Sequence, residues 1–496
     1  MQCNTERSTR ARPRWDALPS ELLFRVHKHL SLIDQVRAET SCRSWYQAFC
    51  NSQDCKLWNP LQIKLDQLRC PKSTSPEQEY SWLSASQAFQ PMCEWVQRHI
   101  GSIASLQIVT KGCNESCASD KCCAPSPNIC QRVMSIVFAM LLAPLERQPV
   151  EVHVKLERHA EVWPLDRQPM LQQACAQHLV SLQLHNAVDS RELLSICGLT
   201  RLTLLQLNID EEGLSEFPHA AAGLTSMHKL QSLTLKAESD QASLGGVDWS
   251  PLAQLTLLEL GIKLGALSAA ASVAGLQDLI LQGSCDRLGP QALQQMQGLT
   301  CLSYICFQDM ALLLDEVVML QSLAGLQELS IWDLAANTFD TFPGGVATFC
   351  RALGRLTKLT YLNLKCAGND GFDPVQLCHL SQLRRLFLVD LQIQDFDIPC
   401  TWERVEVLHL DDNELTQLPG NLSQLTALTE LSLQNQNGEE AFQIASPMCF
   451  LTQLQNLLEV SLGQCSYHWN ASSEFALMQA RLSIKGTPGC RVQLLE

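Results

Sequence analysis

A six-residue pattern, Leu-x-x-Leu-x-Leu, recurs along most of this chain and limits the folds that are open to it. The pattern is found from about residue 103 onward. Its clearest copies are LVSLQL (179–184), LTLLEL (255–260), LQDLIL (276–281), LQELSI (326–331), LTYLNL (359–364), LRRLFL (383–388) and LTELSL (428–433). Between Leu182 and Val460 the central position recurs at intervals of 21 to 33 residues. A random apolar sequence would not keep such a spacing, so the body of the chain is a repeat array.

The physics of the pattern predicts the architecture. Alternation along a strand points both leucines of Leu-x-Leu to one face and the residue between them to the other. A single copy cannot bury its apolar face, so the copies must stack, with neighbouring strands about 4.8 Å apart. We therefore predict an α/β fold: a leucine-rich-repeat solenoid, shaped as a horseshoe, with about twelve to fourteen parallel strands on its concave face.

The copy around residues 405–433 shows how one repeat closes. Asn413 follows the Leu-x-Leu by three residues, where its amide can satisfy backbone groups inside the turn. Asn stands at this position in that copy alone; elsewhere we find Asp210, Ser284, Cys465 or an apolar residue. Leu422, Leu425 and Leu428 then recur every third residue, which predicts a short helix or 3₁₀ turn on the convex side.

The N-terminal stretch LPSELLFRVHKHLSLIDQVRAETSCRSWYQAFC (18–50) has a different, helical texture. Four apolar residues share one helix face after a Leu-Pro entry, namely Leu22, Leu23, Val26 and Leu30. Ser31 and Asp34 can cap a second helix, and Cys42, Trp45 and Phe49 give a third apolar stripe. About forty residues in three short helices bury little core alone, so such a unit is usually completed by a partner.

These residues resemble an F-box. The matching positions, in order, are Leu18, Pro19, Glu21, Leu22, Leu23, Val26, Leu30, Asp34, Cys42, Arg43, Trp45, Leu57 and Trp58. The resemblance implies that the segment docks on a Skp-type adaptor, which joins it to a cullin scaffold with a RING subunit and a ubiquitin-conjugating enzyme. It also implies that the repeats hold a protein substrate, so that the chain acts through proximity and has no catalytic residues of its own.

The resemblance further implies a set of adaptor-binding residues. These are Leu18, Pro19, Glu21, Leu22, Leu23, Val26, Leu30, Asp34, Cys42 and Trp45. The alternative is that the helices only cap the solenoid and that the chain is a repeat scaffold for protein interactions, because every solenoid needs a capping unit.

A candidate substrate surface follows from the repeat pattern. The residues between and just after the strand leucines should face the concave side. Aromatic residues stand there in four successive repeats, with charged residues nearby; the set is Tyr304, Trp332, Tyr361, Lys365, Arg385, Phe387, His409 and Asp411. Exposed aromatic rings with an arginine are typical of interface anchors. The alternatives are that wide loops cover the rings, or that they are scattered surface residues without a role.

Composition excludes some functions. A formal charge of −15 is unfavourable for nucleic-acid binding, which needs a basic stripe. The most apolar run, VMSIVFAMLLAPL (133–145), is too short to span a bilayer, and no apolar signal segment follows Met1. The 23 cysteines then indicate reduced thiols, and so a cytoplasmic or nuclear protein with no membrane partner. An extracellular or membrane receptor, the alternative, would need a signal peptide or a spanning helix.

One stretch of the sequence is rich in cysteine. The stretch CNESCASDKCCAPSPNIC (113–130) holds five cysteines, enough for a tetrahedral zinc site. The spacing is not a paired Cys-x-x-Cys, and the stretch is rich in Ser, Pro and Asn, so a loop with reduced thiols is the preferred interpretation. No phosphate-binding or hydrolase motif is found, and we expect no cofactor and no metal.

These observations divide the chain into five segments. We predict a disordered tail at 1–13, an F-box at 14–60 and a helical linker or N-terminal cap at 61–100. The repeats are predicted at 101–464, with the Cys-rich insertion near 111–130, and a C-terminal cap at 465–496.

Overall fold

The structure is a computed structural model that describes part of the chain. The described residues are 61–64, 105–110, 151–156, 176–209, 217–237, 248–261, 270–285, 296, 298–310, 320–332, 345–365, 372–394, 396–436, 454–462 and 491–494. The chain forms two compact units, residues 1–186 and residues 187–496, which are described separately.

The first unit contains a run of parallel strands. The strands are β1 (Leu61–Lys64), β2 (Ser105–Thr110), β3 (Glu151–Leu156) and β4 (Leu179–Val188), the last of which ends just inside the second unit. Each strand pairs in parallel with the next in the sequence. The β3–β4 register shifts between Val152 and His153, as it does at a β-bulge.

The second unit also contains parallel strands. Its strands are β5 (Leu204–Ile209), β6 (Ser232–Ala237), β7 (Leu257–Gly261), β8 (Asp278–Cys285), β9 (Tyr304–Met310), β10 (Glu328–Trp332), β11 (Tyr361–Lys365), β12 (Arg385–Val389), β13 (Val407–His409), β14 (Glu430–Ser432), β15 (Glu459–Leu462) and β16 (Arg491–Leu494). All neighbouring pairs from β5 to β16 are parallel and follow chain order.

Short helices connect the strands of the second unit. The α-helices are α1 (Ser190–Cys197), α2 (Phe217–Leu224) and α3 (Gly345–Leu353), and 3₁₀ helices lie at Pro374–Leu377, Cys400–Trp402 and Leu422–Gln424. Helix α1 starts with a capping box, in which Asp189 and Glu192 each accept a hydrogen bond from the other's backbone N–H. This box satisfies two N–H groups that the helix leaves free.

The leucines of the repeat pattern form the core, as predicted. On β5, β7 and β11 buried residues alternate with half-buried or exposed ones, and both leucines of each Leu-x-Leu are buried. The leucines of the return stretch are buried too, and their turns close by i→i+3 bonds, such as that from the Leu255 N–H to the Leu252 carbonyl. Each repeat therefore contributes apolar residues from the strand, mostly leucines, and further leucines from the return, which together make an apolar interior.

Two strands lie beyond the predicted limits of the repeats. Strand β1 lies within 61–100, predicted as a helical linker or cap, and β16 lies within 465–496, predicted as a C-terminal cap. Their sequences, LQIK and RVQL, alternate in polarity but lack the full Leu-x-x-Leu-x-Leu spacing. The pattern alone therefore does not reveal them, whereas pairing with a neighbouring strand does.

Buried side-chain amides hold successive turns together after β13 and β14. Asn413 is fully buried; its Oδ1 accepts hydrogen bonds from the N–H groups of Leu391 (3.0 Å) and Ile393 (3.1 Å), and its Nδ2 donates to the Leu388 carbonyl (2.7 Å). The predicted role of Asn413 is therefore confirmed. Gln436 does the same one repeat later, accepting from the Leu415 N–H and donating to the Leu410 carbonyl. Gln436 was not predicted from the sequence, because only Asn was expected at this position. Gln carries the same amide group on a longer side chain.

Candidate functional site

The structure describes the predicted substrate-binding residues but not the predicted adaptor-binding residues. All ten predicted adaptor-binding residues, from Leu18 to Trp45, lie outside the described residues. The eight predicted substrate-binding residues, from Tyr304 to Asp411, all lie within them. The candidate site described below is therefore the concave face of strands β9 to β14.

Strand register sorts the concave side chains into three rows. The first row is Tyr304, Glu328, Tyr361, Arg385, Val407 and Glu430. The second row is Cys306, Ser330, Asn363, Phe387, His409 and Ser432. The third row is Gln308, Trp332, Lys365 and Val389, and Asp411 follows β13 at the equivalent distance. The prediction that aromatic residues stand on this face in four successive repeats is therefore correct, although they occupy different rows.

Three rings from three neighbouring strands form a cluster. The ring centroids of Tyr361 and Phe387 are 5.4 Å apart with a tilt of 45°, and those of Phe387 and His409 are 4.6 Å apart, edge to face. These separations lie within the range in which aromatic pairs attract each other beyond simple burial. The cluster runs diagonally across the sheet, because Tyr361 is in the first row and the other two rings are in the second.

Arg385 covers one end of the ring cluster. Its guanidinium carbon lies 4.8 Å from the centroid of the Tyr361 ring, and its Nη2 lies 3.0 Å from Oε1 of Glu328. Arg385 thus reaches from β12 across β11 to β10. A planar cation between a ring face and a carboxylate is held by both, which fixes the position of the Tyr361 ring.

Carboxylates flank the other end of the cluster. Nε2 of His409 lies 2.7 Å from Oε1 of Glu430, and its Nδ1 lies 3.8 Å from Oδ2 of Asp411. Asp411 is itself anchored, because its Oδ1 accepts hydrogen bonds from the Ser432 hydroxyl (2.6 Å) and the Gln434 N–H (2.7 Å). The imidazole is therefore oriented by an acid on each side, and its ring is turned edge to face against Phe387.

Trp332 is the most exposed ring of the predicted set. Its side chain is 39% exposed, and its Nε1 donates to the Ser330 hydroxyl at 2.6 Å. With its N–H satisfied by its own strand, the indole presents apolar surface that a partner can cover without losing a hydrogen bond. Lys365, also exposed, is its register partner on β11.

Tyr304 lies further from the cluster and is partly withdrawn from solvent. Burial raises the pKa of its phenol, and burial likewise raises the pKa of the Cys306 thiol beside it. Burial also raises the pKa of Tyr361, whose hydroxyl accepts a hydrogen bond from Nδ2 of Asn363. All three groups are therefore neutral near pH 7, so they offer packing surface and hydrogen bonds rather than charge.

The structure adds residues that the sequence analysis did not name. Glu328, Ser330, Asn363 and Glu430 contact the predicted residues directly. The same rule of strand alternation would have found them, since each stands at a concave position of its repeat. They were missed because the selection favoured rings and charges near rings. In the described part of the chain, no cluster of His, Cys, Asp and Glu could hold a metal ion, and no helix could cross a membrane.

A comparison with known families identifies the N-terminal segment. The F-box-like family matches residues 15–61. The match covers the stretch in which the sequence resembles an F-box, and it is independent of the repeats that follow.

Comparisons with single proteins concern the repeats. Toll-like receptor 6 of Mus musculus is 34% identical over 151 residues, which are 28% of this chain and 18% of the receptor, so the chain spans less than a fifth of that relative's length.

Two solved structures are similar over most of this chain. An internalin of Listeria monocytogenes has a TM-score of 0.43 at 18% identity, covering 73% of this chain and 88% of the internalin. The leucine-rich-repeat ectodomain of a receptor kinase of Arabidopsis thaliana has a TM-score of 0.32 at 14% identity, covering 73% of this chain and 47% of that one. Both scores are low, so the fold assignment rests on the strand order and register of this chain.

Fold and site together define a class of protein. A leucine-rich-repeat interaction module has parallel strands in chain order, inward apolar residues that are mostly leucines, and an open face of mixed rings and charges; this chain has these features. With an F-box-like segment at residues 15–61, the chain is an F-box-like protein with leucine-rich repeats.

Proposed function

We propose that this protein is the substrate-recognition subunit of an SCF-type E3 ubiquitin ligase. The observation that carries the proposal is the union of two modules in one chain: an F-box-like segment at residues 15–61 and a repeat array with an open aromatic face. F-box and leucine-rich-repeat modules are interaction modules, so the chain supplies binding and positioning and not chemistry of its own.

The partners follow from the proposal. A Skp-type adaptor would dock on the apolar face that includes Leu18, Pro19, Leu22 and Val26, and would connect the chain to a cullin-RING scaffold. The mechanism is a rise in effective concentration: a substrate held on the repeats keeps its lysines near an activated ubiquitin thioester. We propose the cytosol or nucleus as the compartment, because we interpret the 23 cysteines of the sequence as reduced thiols.

The concave face of β9 to β14 is the proposed substrate surface. It combines an exposed indole at Trp332, a ring cluster at Tyr361, Phe387 and His409, and charged groups held in fixed positions. Large rings fixed in place lose little conformational freedom on binding, which is why such residues dominate interface energies.

One experiment tests the adaptor step. The wild-type chain and a Leu18→Ala, Pro19→Ala double variant are used to capture a purified Skp-type adaptor, and ubiquitin transfer to co-purified proteins is followed with the cullin-RING scaffold present. We expect capture and transfer by the wild type and loss of both in the variant. Equal capture by both chains would favour the alternative, a repeat scaffold whose N-terminal helices only cap the solenoid.

A further inference from the structure

The concave face holds one positively charged side chain of its own, that of Arg385. The guanidinium of Arg385 lies over the Tyr361 ring at 4.8 Å and 3.0 Å from the Glu328 carboxylate. A ring face supplies negative quadrupole potential and a carboxylate supplies a charged acceptor, so the two together stabilise a cation. The strand spacing of this sheet therefore allows a ring and a carboxylate from neighbouring strands to contact the same cation.

A ring and a carboxylate also occur further along the sheet. Phe387 supplies a ring on β12, and Glu430 supplies a carboxylate on β14, with the His409 ring between them on β13. Within the described part of the chain, the Glu430 carboxylate contacts the His409 ring and not a lysine or arginine. The side chain of Glu430 is 39% exposed, so a partner can reach it.

The resident arginine does not serve this second group. Arg385 extends from β12 back to β10, and hence away from β14. The first-row residue between Arg385 and Glu430 is Val407, which is smaller than the rings beside it and carries no charge. Val407 therefore separates Glu430 from Arg385 along the first row.

The surrounding charge also favours a cation. Asp411 flanks His409 on its other side, and Glu459 follows Glu430 in the first row, with Arg491 at the next register position. The whole chain carries a formal charge of −15. An acidic surface attracts basic segments over a distance comparable with the Debye length and repels acidic ones.

Within the receptor function proposed above, on which this inference rests, we propose that Phe387, His409 and Glu430 receive a lysine or arginine side chain of the substrate. The occupant is a protein segment with an exposed basic side chain, which would lie on the rings and pair with Glu430 as Arg385 does with Tyr361 and Glu328. The concave face then selects substrate segments that carry an exposed lysine or arginine.

The test uses defined peptides and the purified full chain. Random dodecapeptides displayed on phage are selected on the wild-type chain, and the strongest binders are synthesised. Each is also made with single arginines replaced by citrulline or single lysines by acetyl-lysine, which keep the shape and remove the charge. Affinities are measured for the wild type, for Glu430→Gln and for the control Glu403→Gln, an exposed glutamate next to the 3₁₀ helix at Cys400–Trp402.

The expected result is a coupling between one peptide charge and one protein charge. At a single basic position, neutralisation should weaken binding to the wild type about tenfold. Glu430→Gln should weaken the parent peptide by a similar factor, and neutralisation should then add less than about twofold. The Glu403→Gln control should behave as the wild type, and higher salt should weaken the parent peptide.

Three results would overturn the inference. They are a failure to select any binder, binders without a required basic position, and a neutralisation effect that is equally large in Glu430→Gln. These readouts need no adaptor, so they are independent of the ligase assay. If ubiquitin transfer occurs without the charge coupling, only the cation site is lost; if the coupling holds without adaptor binding, only the ligase role is lost.

Discussion

The guanidinium carbon of Arg385 lies 4.8 Å from the centroid of the Tyr361 ring on the neighbouring strand. Because Arg385 is also paired with Glu328, and Tyr361 also packs against Phe387, the two side chains fix each other in position. A surface prepared in this way loses less entropy when a partner binds. The described geometry therefore favours a protein partner that meets a preformed face.

Truncating the Trp332 and Phe387 rings should weaken substrate capture without affecting adaptor binding. We expect Trp332→Ala and Phe387→Ala each to weaken binding of a trapped substrate by about 10- to 100-fold, as truncation of an aromatic anchor does. Adaptor binding should stay at the wild-type level. Both affinities can be measured by surface plasmon resonance.

A matched control separates lost anchoring from lost solubility or folding. Val375 is 40% exposed and lies in the 3₁₀ helix Pro374–Leu377, away from the concave rows. Val375→Ala should leave substrate capture unchanged. If Trp332→Ala and Phe387→Ala also leave it unchanged, this face is not the substrate surface.

Asn413 should be a large single contributor to stability. Asn413→Ala leaves the buried N–H groups of Leu391 and Ile393 and the carbonyl of Leu388 without their side-chain partner. We expect a loss of about 2 to 4 kcal/mol in the free energy of unfolding. Urea denaturation measures it, and hydrogen exchange should accelerate first at Leu391 and Ile393.

Two further variants test whether the hydrogen bonds of the Asn413 amide account for the loss of stability. Asn413→Asp keeps the acceptor oxygen but loses the donor to the Leu388 carbonyl and buries a charge, so it should be nearly as destabilising as Ala. Glu403→Ala, at an exposed site, should change the free energy of unfolding by less than about 0.5 kcal/mol. A small effect of Asn413→Ala would show that backbone groups of the turn find other partners.

Gly420 is required by close packing against Asp397. These two residues form an isolated parallel bridge, and a Cβ atom at position 420 would overlap Oδ1 of Asp397. We expect Gly420→Ala to reduce the free energy of unfolding by about 1 to 3 kcal/mol, as overpacking does. Adding Asp397→Ala should recover much of this loss, because it removes the overlapping oxygen. A double-mutant cycle in urea measures the coupling, and additive losses would contradict the steric explanation.

The buried thiols should be inert and the exposed thiols reactive. Burial raises the pKa of both Cys197 and Cys350 to about 12, whereas Cys301 and Cys400 are exposed. At pH 8 iodoacetamide should label Cys301 and Cys400 and spare Cys197 and Cys350 until the chain is unfolded. Peptide mass spectrometry measures this, and equal labelling of the four in the folded chain would show that the buried pair is open to solvent.

The same shifts give a pH dependence with a definite sign. A thiol with a raised pKa in the folded chain keeps its proton between about pH 9, its ordinary value, and about pH 12, whereas the unfolded chain loses it. The folded state then binds more protons, so stability falls as the pH rises through this window. Cys197→Ala, Cys350→Ala should flatten the alkaline limb of a stability–pH profile relative to the wild type.

The fold could be predicted from the sequence because the repeat imposes it at every copy. Leu329 and Ile331 can be assigned to the core, and Glu328 and Trp332 to the opposite face, from alternation alone, and the structure agrees. Strands β1 and β16 could not be predicted, because their short alternating sequences lack the repeat pattern. They are recognisable as strands only through pairing with their neighbours. The same applies to Gln436, whose role depends on the turn that it faces.

The candidate site could be predicted only as a list of residues. Alternation places Tyr361, Phe387 and His409 on one face, but the direction in which Arg385 reaches depends on where Glu328 lies, 57 positions earlier. Such partners are adjacent only because the strands stack, so sequence distance gives no indication of them. The pairing of His409 with Glu430 is another example.

The division of labour along each strand has an evolutionary consequence. The inward leucines carry stability, while half-buried residues such as Asn363, Phe387 and His409 between them contribute little to the interior. Mutations at these outward positions can therefore alter what the protein recognises without endangering its folding. A lineage of such chains could diversify its targets one repeat at a time while the scaffold stays the same.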